Sequence, residues 1–173
     1  YSFILNDKPI SILKTPNSDG YVLELNSLSK TCNMSGWRVG MVLGNPSLIE
    51  AILKVKSNMD SGMFYPVQKG AIAAMQVDKK WYQEQNEIYK SRRDLIFKIA
   101  DKLNCTYDTN TAGLFVWAKI PENKTPEEIV DYLLYEKNIF ITPGSIFGTN
   151  GNNYIRFSLC VTKEVIQEAL ERI

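Results

Sequence analysis

Apolar positions along this chain repeat with two periods, and each stretch of one period ends at a recognisable stop. Tyr21-Val22-Leu23-Glu24-Leu25 is a short β-rich run leading straight into Asn26-Ser27-Leu28-Ser29-Lys30, and Arg38-Val39-Gly40-Met41-Val42-Leu43-Gly44 reads as a second strand, so a loop carrying Lys30 is predicted between them. Asn45-Pro46 then opens a helix, with Asn as N-cap and Pro in the first turn, and Leu48, Ile49, Ile52, Leu53 and Val55 supply its apolar face. Asp60-Ser61-Gly62 is a turn, Pro66 opens a helical stretch through Met75, and Asp78 caps a longer helix. In that helix Trp81, Ile88, Leu95, Ile99 and Leu103 recur at helical spacing on a charged background, the pattern of a packed core face.

After Asn104 the pattern becomes mixed. Gly113 to Ala118 is a strand stopped near Pro121, and Thr125-Pro126-Glu127-Glu128 is a capping box that starts a helix running to about Asn138. Ile139 to Thr142 reads as a strand broken by Pro143-Gly144, Gly148 to Asn153 as a polar turn, and Tyr154 to Cys160 as the last strand. Thr162 caps a final helix whose Val165, Ile166, Ala169 and Leu170 face inward. Two parts are predicted: residues 1–75 as the tail of a larger α/β layer, and residues 76–173 as a long connecting helix followed by a small α+β domain.

Composition narrows the chemistry. With 173 residues, 45% hydrophobic and net charge +1, the chain can bury a sizeable core and carries no basic field to recruit nucleic acid. No apolar run approaches a membrane span, so no membrane partner is expected. Cys32, Cys105 and Cys160 are odd in number and widely spaced, which suits free thiols and a cytoplasmic location. Histidine is absent, which excludes Ser-His-Asp triads, Cys-His pairs and histidine zinc sites, and no metal site is expected. Acid–base work falls to Lys, Tyr, Asp, Glu, Cys or a cofactor. The opening Tyr1-Ser2-Phe3-Ile4-Leu5 lacks a methionine and reads like the end of a strand, so an N-terminal part is expected upstream.

One segment concentrates polar chemistry. Ser27-Leu28-Ser29-Lys30 is followed by Gly36-Trp37-Arg38-Val39-Gly40, placing two hydroxyls before a lysine and one arginine eight residues after it. A dianionic phosphate needs cations and donors where it ends, and the planar fork of Arg38 binds two of its oxygens at once. Gly36 and Gly40 allow close backbone approach, and the amine of Lys30 is free to react with an aldehyde. Ser-Leu-Ser-Lys alone fits a solvated turn; the longer string Ser-x-Ser-Lys-x5-Gly-Trp-Arg-x-Gly is far more specific.

That string resembles the lysine signature of class I/II, fold-type-I, pyridoxal-phosphate-dependent aminotransferases. The resemblance implies the C-terminal part of their α/β fold: the tail of the large cofactor-binding domain plus the small α+β C-terminal domain. It implies that Lys30 carries pyridoxal 5'-phosphate as a Schiff base, that Ser27 and Arg38 hold the phosphate, and that Ser29 is a weaker phosphate ligand. Tyr1, 29 residues before Lys30, matches the tyrosine of an Asp-x-x-Tyr element that hydrogen-bonds the cofactor's phenolic oxygen. Pro143, Gly144, Phe147, Gly148, Tyr154 and Arg156 match "Pro-Gly-x-x-Phe-Gly … Tyr-x-Arg", in which the arginine binds the substrate α-carboxylate. Strand alternation independently sets Arg156 on the face opposite Ile155, Phe157 and Leu159.

The activity so implied is transfer of an amino group between an amino acid and a 2-oxo acid, with Lys30 moving the α-proton, in a protein that is a homodimer when complete. These residues alone are expected to be inactive, because the family's glycine-rich phosphate loop, stacking aromatic and ring-nitrogen aspartate belong upstream. Residues 57–65 lack the arginine used by dicarboxylate-specific members, which disfavours strict aspartate specificity by that device. A carbon–sulfur lyase of the same fold and an aminotransferase-like ligand-sensing domain of a regulator are the competing readings.

Overall fold

The computed structural model describes residues 4–6, 8–18 and 20–173, and the chain divides into two compact units, one ending at Tyr82 and one spanning Gln83–Ile173. In the first unit β1 (Leu23–Ser27) pairs antiparallel with β2 (Gly40–Gly44), Leu23 opposite Gly44 and Ser27 opposite Gly40. Gly40 is required there: a Cβ on it would lie 2.8 Å from the Asn26 carbonyl oxygen. The predicted loop between the strands is in fact a helical turn, α1 (Leu28–Thr31), followed by a 3-10 turn at Ser35–Trp37. The Ser27 side chain is the reason: its Oγ accepts from the Ser29 N–H at 3.2 Å while its backbone stays extended, which makes it an N-cap.

Beneath the turn, Leu28, Met34, Val39 and Ala71 are buried together, with Cys32, Met41, Val67 and Ala74 packed against them. Ala71 comes from α3 (Tyr65–Met75), and the Trp37 ring lies so close to Gly70 of that helix that a Cβ there would meet it at 2.5 Å. Between β2 and α3, α2 (Pro46–Lys56) starts as the sequence predicts, with Asn45 Oδ1 accepting from the Ser47 N–H at 2.9 Å. Its predicted apolar face is covered only in the first turn. Leu48 and Ile49 are half-buried, while Ile52, Leu53 and Val55 are exposed. Periodicity shows which residues share a face; burial needs a partner surface, and no α2 residue is buried among the described residues.

The 24-residue α4 (Lys79–Lys102) begins in the first unit, where Asp78 Oδ1 accepts from the Trp81 N–H, and continues into the second. Leu95 and Ile99 are buried as the stripe predicts, but Ile88 is exposed and Tyr89 is buried instead. A straight helix drifts about 20° per seven residues, so a stripe read in steps of seven slides off the core.

The second unit contains β3 (Thr106–Tyr107), β4 (Phe115–Lys119), α5 (Pro126–Asp131), β5 (Thr142–Pro143), β6 (Tyr154–Ser158) and α6 (Lys163–Arg172). The antiparallel sheet runs β3-β4-β6-β5. Val116, Ala118, Ile155, Phe157 and Leu159 form the inner face of the core with Ile99, Ala100, Leu133 and Ile166. The capping box is complete: Glu128 N–H donates to Thr125 Oγ1 and Thr125 N–H to Glu128 Oε2. These bonds hold the Glu128 carboxyl below its ordinary pKa, the backbone bond being the larger cause.

Two predicted boundaries move, and one predicted inward face is narrower. After α5 a π turn spans Tyr132–Glu136, and the Ile139 N–H closes back on the Leu133 carbonyl at 2.8 Å with Asn138 left-handed, so Ile139 and Phe140 end a helix instead of starting a strand. β6 stops at Ser158 because the Ser158 hydroxyl accepts from the Cys160 N–H. In α6, Val165 is exposed while Ile166 is buried.

The loop between β5 and β6 folds on two glycines. A Cβ on Gly144 would sit 2.4 Å from the Gly151 carbonyl oxygen, and one on Gly151 would sit 2.0 Å from the Gly144 oxygen. Backbone cannot yield as a side chain does, so Gly151→Ala is expected to cost at least about 2 kcal/mol. Thr125→Ala, which removes only the cap, is expected to cost about 1 kcal/mol. Chemical denaturation checks the order; a Gly151→Ala loss no larger than that of Thr125→Ala would contradict the backbone contact.

Candidate functional site

The turn carrying Lys30 is fixed from below and open above. Leu28 is buried, and its N–H donates to the Val39 carbonyl at 3.3 Å, tying α1 to the start of β2. Residues two apart on a helix point roughly 200° apart, so burying Leu28 turns Lys30 outward; Lys30 is exposed, and no hydrogen bond or ion pair involves its amine among the described residues. Ser27 is exposed and Ser29 half-buried. The Ser27 hydroxyl accepts the capping bond but keeps its own hydrogen to donate.

Arg38 stands at the same end of the hairpin, between the 3-10 turn and β2. Its backbone is left-handed (φ 52°, ψ 48°), a conformation that costs a side-chain-bearing residue roughly 1–2 kcal/mol. Its Nη1 donates to the Ser35 carbonyl at 2.9 Å, and its other N–H groups are unused among the described residues. Ser27, Ser29, Lys30 and Arg38 therefore share one corner. Tyr1 lies outside the described residues.

Behind the turn, Asn26, Leu28, Thr31, Cys32, Met41 and Tyr82 line most of a cavity of about 190 Å³. The Cys32 thiol lies 3.9 Å from the Ala74 carbonyl and 3.8 Å from the Tyr82 hydroxyl. Burial, with the neighbouring thiol adding to it, pushes the Tyr82 phenol up to about 12, so it stays protonated at neutral pH. Sequence reasoning missed this contact, which joins residues fifty apart in the chain.

Arg156 belongs to the second unit. It lies opposite Trp117 on one side and Thr142 on the other, on the sheet face away from the core. Its guanidinium sits 4.3 Å from the Phe115 ring centroid and 4.4 Å from that of Phe147. No ion pair or hydrogen bond occupies its N–H groups among the described residues. Strand alternation in the sequence gives the face; the flanking rings were missed, although Phe115 shares the two-residue repeat of Trp117 and Lys119.

The family model described as aminotransferase class I and II matches residues 4–173, and the chain belongs to that family. It is 45% identical over 166 residues to an LL-diaminopimelate aminotransferase of Maridesulfovibrio salexigens, covering 96% of this chain and 43% of that protein. Among solved structures it resembles an aminotransferase from Staphylococcus aureus (TM-score 0.87, 35% identity, 99% of this chain and 46% of that one). It also resembles apo-BacF from Bacillus subtilis (TM-score 0.88, 33% identity, 99% and 44%). The chain thus spans 43% of the length of the relative from M. salexigens, and its fold is that of the aminotransferases it matches. Class I/II aminotransferases depend on pyridoxal phosphate. Among the described residues no helix is long and apolar enough to cross a membrane.

If the Ser27 hydroxyl shapes the turn before any ligand binds, Ser27→Ala should lower stability by about 1 kcal/mol, and Ser27→Asn, which still caps, by much less. Denaturant unfolding without added cofactor reads both. Equal losses would show that the hydroxyl does not cap α1.

Proposed function

We propose that this chain supplies the lysine-bearing part of a pyridoxal-phosphate site in an aminotransferase that moves an amino group between an amino acid and a 2-oxo acid. The observation that carries the reading is the corner at the end of the β1–β2 hairpin, where a turn pinned by buried Leu28 carries a lysine amine that is exposed and unpartnered among the described residues, two serine hydroxyls stand beside it, and the nearby arginine has unused donors. These residues fit a phosphorylated aldehyde, since the amine suits the carbonyl and the remaining donors suit a dianion. When bound, the cofactor supplies an electron sink that stabilises negative charge at the substrate's α-carbon.

The chain's own residues do the rest. Lys30 would hold the cofactor through Nζ, and the same amine, when free, would be the base that accepts the α-proton and returns it. Arg38 and Ser27 hold the phosphate, and Ser29 adds a weaker contact. Tyr1 is assigned to the cofactor's phenolic oxygen. Arg156 receives the substrate α-carboxylate through its open edge. Residues 1–75 belong to the large cofactor-binding domain, and residues 76–173 comprise the connecting helix and small domain. The protein works as a cytoplasmic homodimer; exposed Leu25, Leu53, Val55, Met59 and Phe64, with the edges of the two-stranded sheet unpaired among the described residues, support further chain packing on the first unit. LL-diaminopimelate, for which the M. salexigens relative is named, is the proposed amino donor.

The test uses the protein expressed from its own gene, supplied with LL-diaminopimelate and a panel of 2-oxo acids. A new amino acid is expected as product; ammonia with a thiol from sulfur-containing substrates would favour the lyase. Lys30→Ala should lower turnover by about 10³-fold or more. Arg38→Ala, which loses charged hydrogen bonds of about 1.5–3 kcal/mol, should raise the pyridoxal phosphate concentration for half-maximal activity by roughly 10- to 150-fold. Lys30→Ala at the parent rate would overturn the reading.

A further inference from the structure

We propose that Phe115 and Phe147 are positioning residues that clamp the Arg156 guanidinium between their rings and leave only its edge open to a planar carboxylate. The inference rests on the reading of Arg156 as the carboxylate receptor and adds what sets its orientation.

The clamp is built from two independent directions. Phe115 is fixed by the sheet: it stands on β4 two residues before Trp117, the direct partner of Arg156, and so occupies the diagonal cross-strand position on the same face. Phe147 comes from the 3-10 turn Gly144–Phe147, outside the sheet. That turn is held by contacts that do not involve Arg156. Its first residue presses on the carbonyl oxygens of Gly151 and Tyr154, where a Cβ would come within 2.4 and 2.5 Å. The Ser145 hydroxyl donates to Glu127 of α5. The Phe147 ring meets the Trp117 ring edge-on at 5.8 Å, and Trp117 stacks on Tyr154 at 5.3 Å. The backbone carrying each phenyl is therefore set without help from the cation, and the Arg156 guanidinium carbon lies 4.3 and 4.4 Å from the two ring centroids.

The choice of rings has a chemical consequence. An acidic partner would orient a guanidinium by consuming its N–H donors, and it would compete with an incoming anion. A phenyl face attracts the cation through its quadrupole and uses no N–H donor. Here no carboxylate pairs with Arg156 among the described residues, so all five donors stay available in one plane. In the proposed clamp the two rings take the guanidinium faces, so a ligand approaches in its plane, which is the bidentate geometry of an arginine–carboxylate pair. Phe115 and Phe147 are themselves 38% and 51% exposed, so the clamp opens onto solvent instead of burying the charge.

The experiment uses the protein from its own gene and the variants Phe147→Leu, Phe115→Leu, Phe147→Tyr and Arg156→Lys. Leucine keeps apolar bulk without a ring face; tyrosine keeps the face. Three constants are read beside the thermal midpoint: KM and kcat for the amino acid, and the equilibrium dissociation constant of an analogue methylated at every α-carbon, which has no α-proton to lose. Each leucine variant is expected to raise KM and the dissociation constant by about 5-fold with kcat within about twofold, and Phe147→Tyr to recover most of that loss. Arg156→Lys should raise both constants more than either leucine variant. If Arg156→Lys changes neither, the carboxylate reading fails and the clamp with it. If Arg156→Lys raises both but the leucine variants do not, or tyrosine fails to rescue, or kcat falls with KM constant, the clamp alone is overturned. Because Phe115 and Phe147 sit on separate elements, misfolding of one variant leaves the other to decide.

Discussion

Burial of Leu28 is the constraint on which the candidate site depends. One apolar side chain, held among Met34, Val39 and Ala71, pins a helix of a single turn that could not persist alone. The Ser27 cap and the bond from Leu28 to Val39 complete the attachment. With that turn fixed, helical geometry leaves Lys30 no direction but outward. The left-handed backbone of Arg38 belongs to the same corner: the chain reverses between the 3-10 turn and β2 at the arginine proposed to hold the phosphate instead of at a glycine.

The second unit solves an equivalent problem with a sheet. Alternation along β6 buries Ile155 and Phe157 and turns Arg156 to the other face, where it meets Phe115 and Phe147, the latter edge-on to Trp117, which stacks on Tyr154. The backbone contact between Gly144 and Gly151 is part of this arrangement, because it sets the turn from which Phe147 projects. In both units a charged side chain is aimed by packing beneath or beside it, and its hydrogen-bonding capacity is left largely free.

Local signals were legible in the sequence, and long-range ones were not. Asn45, Asp78 and Thr125 announce their helices because a cap needs only neighbouring residues, and all three make the expected bonds. The family was legible because its lysine and arginine motifs are short and ordered along the chain. The apolar face of α2 misled because amphipathicity does not reveal what covers it. Ile88 misled because a seven-residue step drifts around a long helix. Ile139 and Phe140 looked like a strand because β-propensity cannot register that the Ile139 N–H is already taken by the preceding helix. The contact of Cys32 with Tyr82 and the rings flanking Arg156 come from residues far apart in sequence, which periodicity does not report. Lys30 was expected in a loop, and its helical turn was readable from Ser27 as an N-cap, a signal overshadowed by the serine's candidate role toward phosphate.

The central claim is that the Lys30 amine is the covalent anchor for a phosphorylated aldehyde. Borohydride reduction of the protein from its own gene, after incubation with pyridoxal phosphate, followed by peptide mass mapping, tests it directly. The account expects one stable adduct, located at Lys30 and lost when Arg38 is replaced by Ala at limiting cofactor. An adduct spread over surface lysines such as Lys54, Lys90 and Lys163, with none enriched at Lys30, would contradict it.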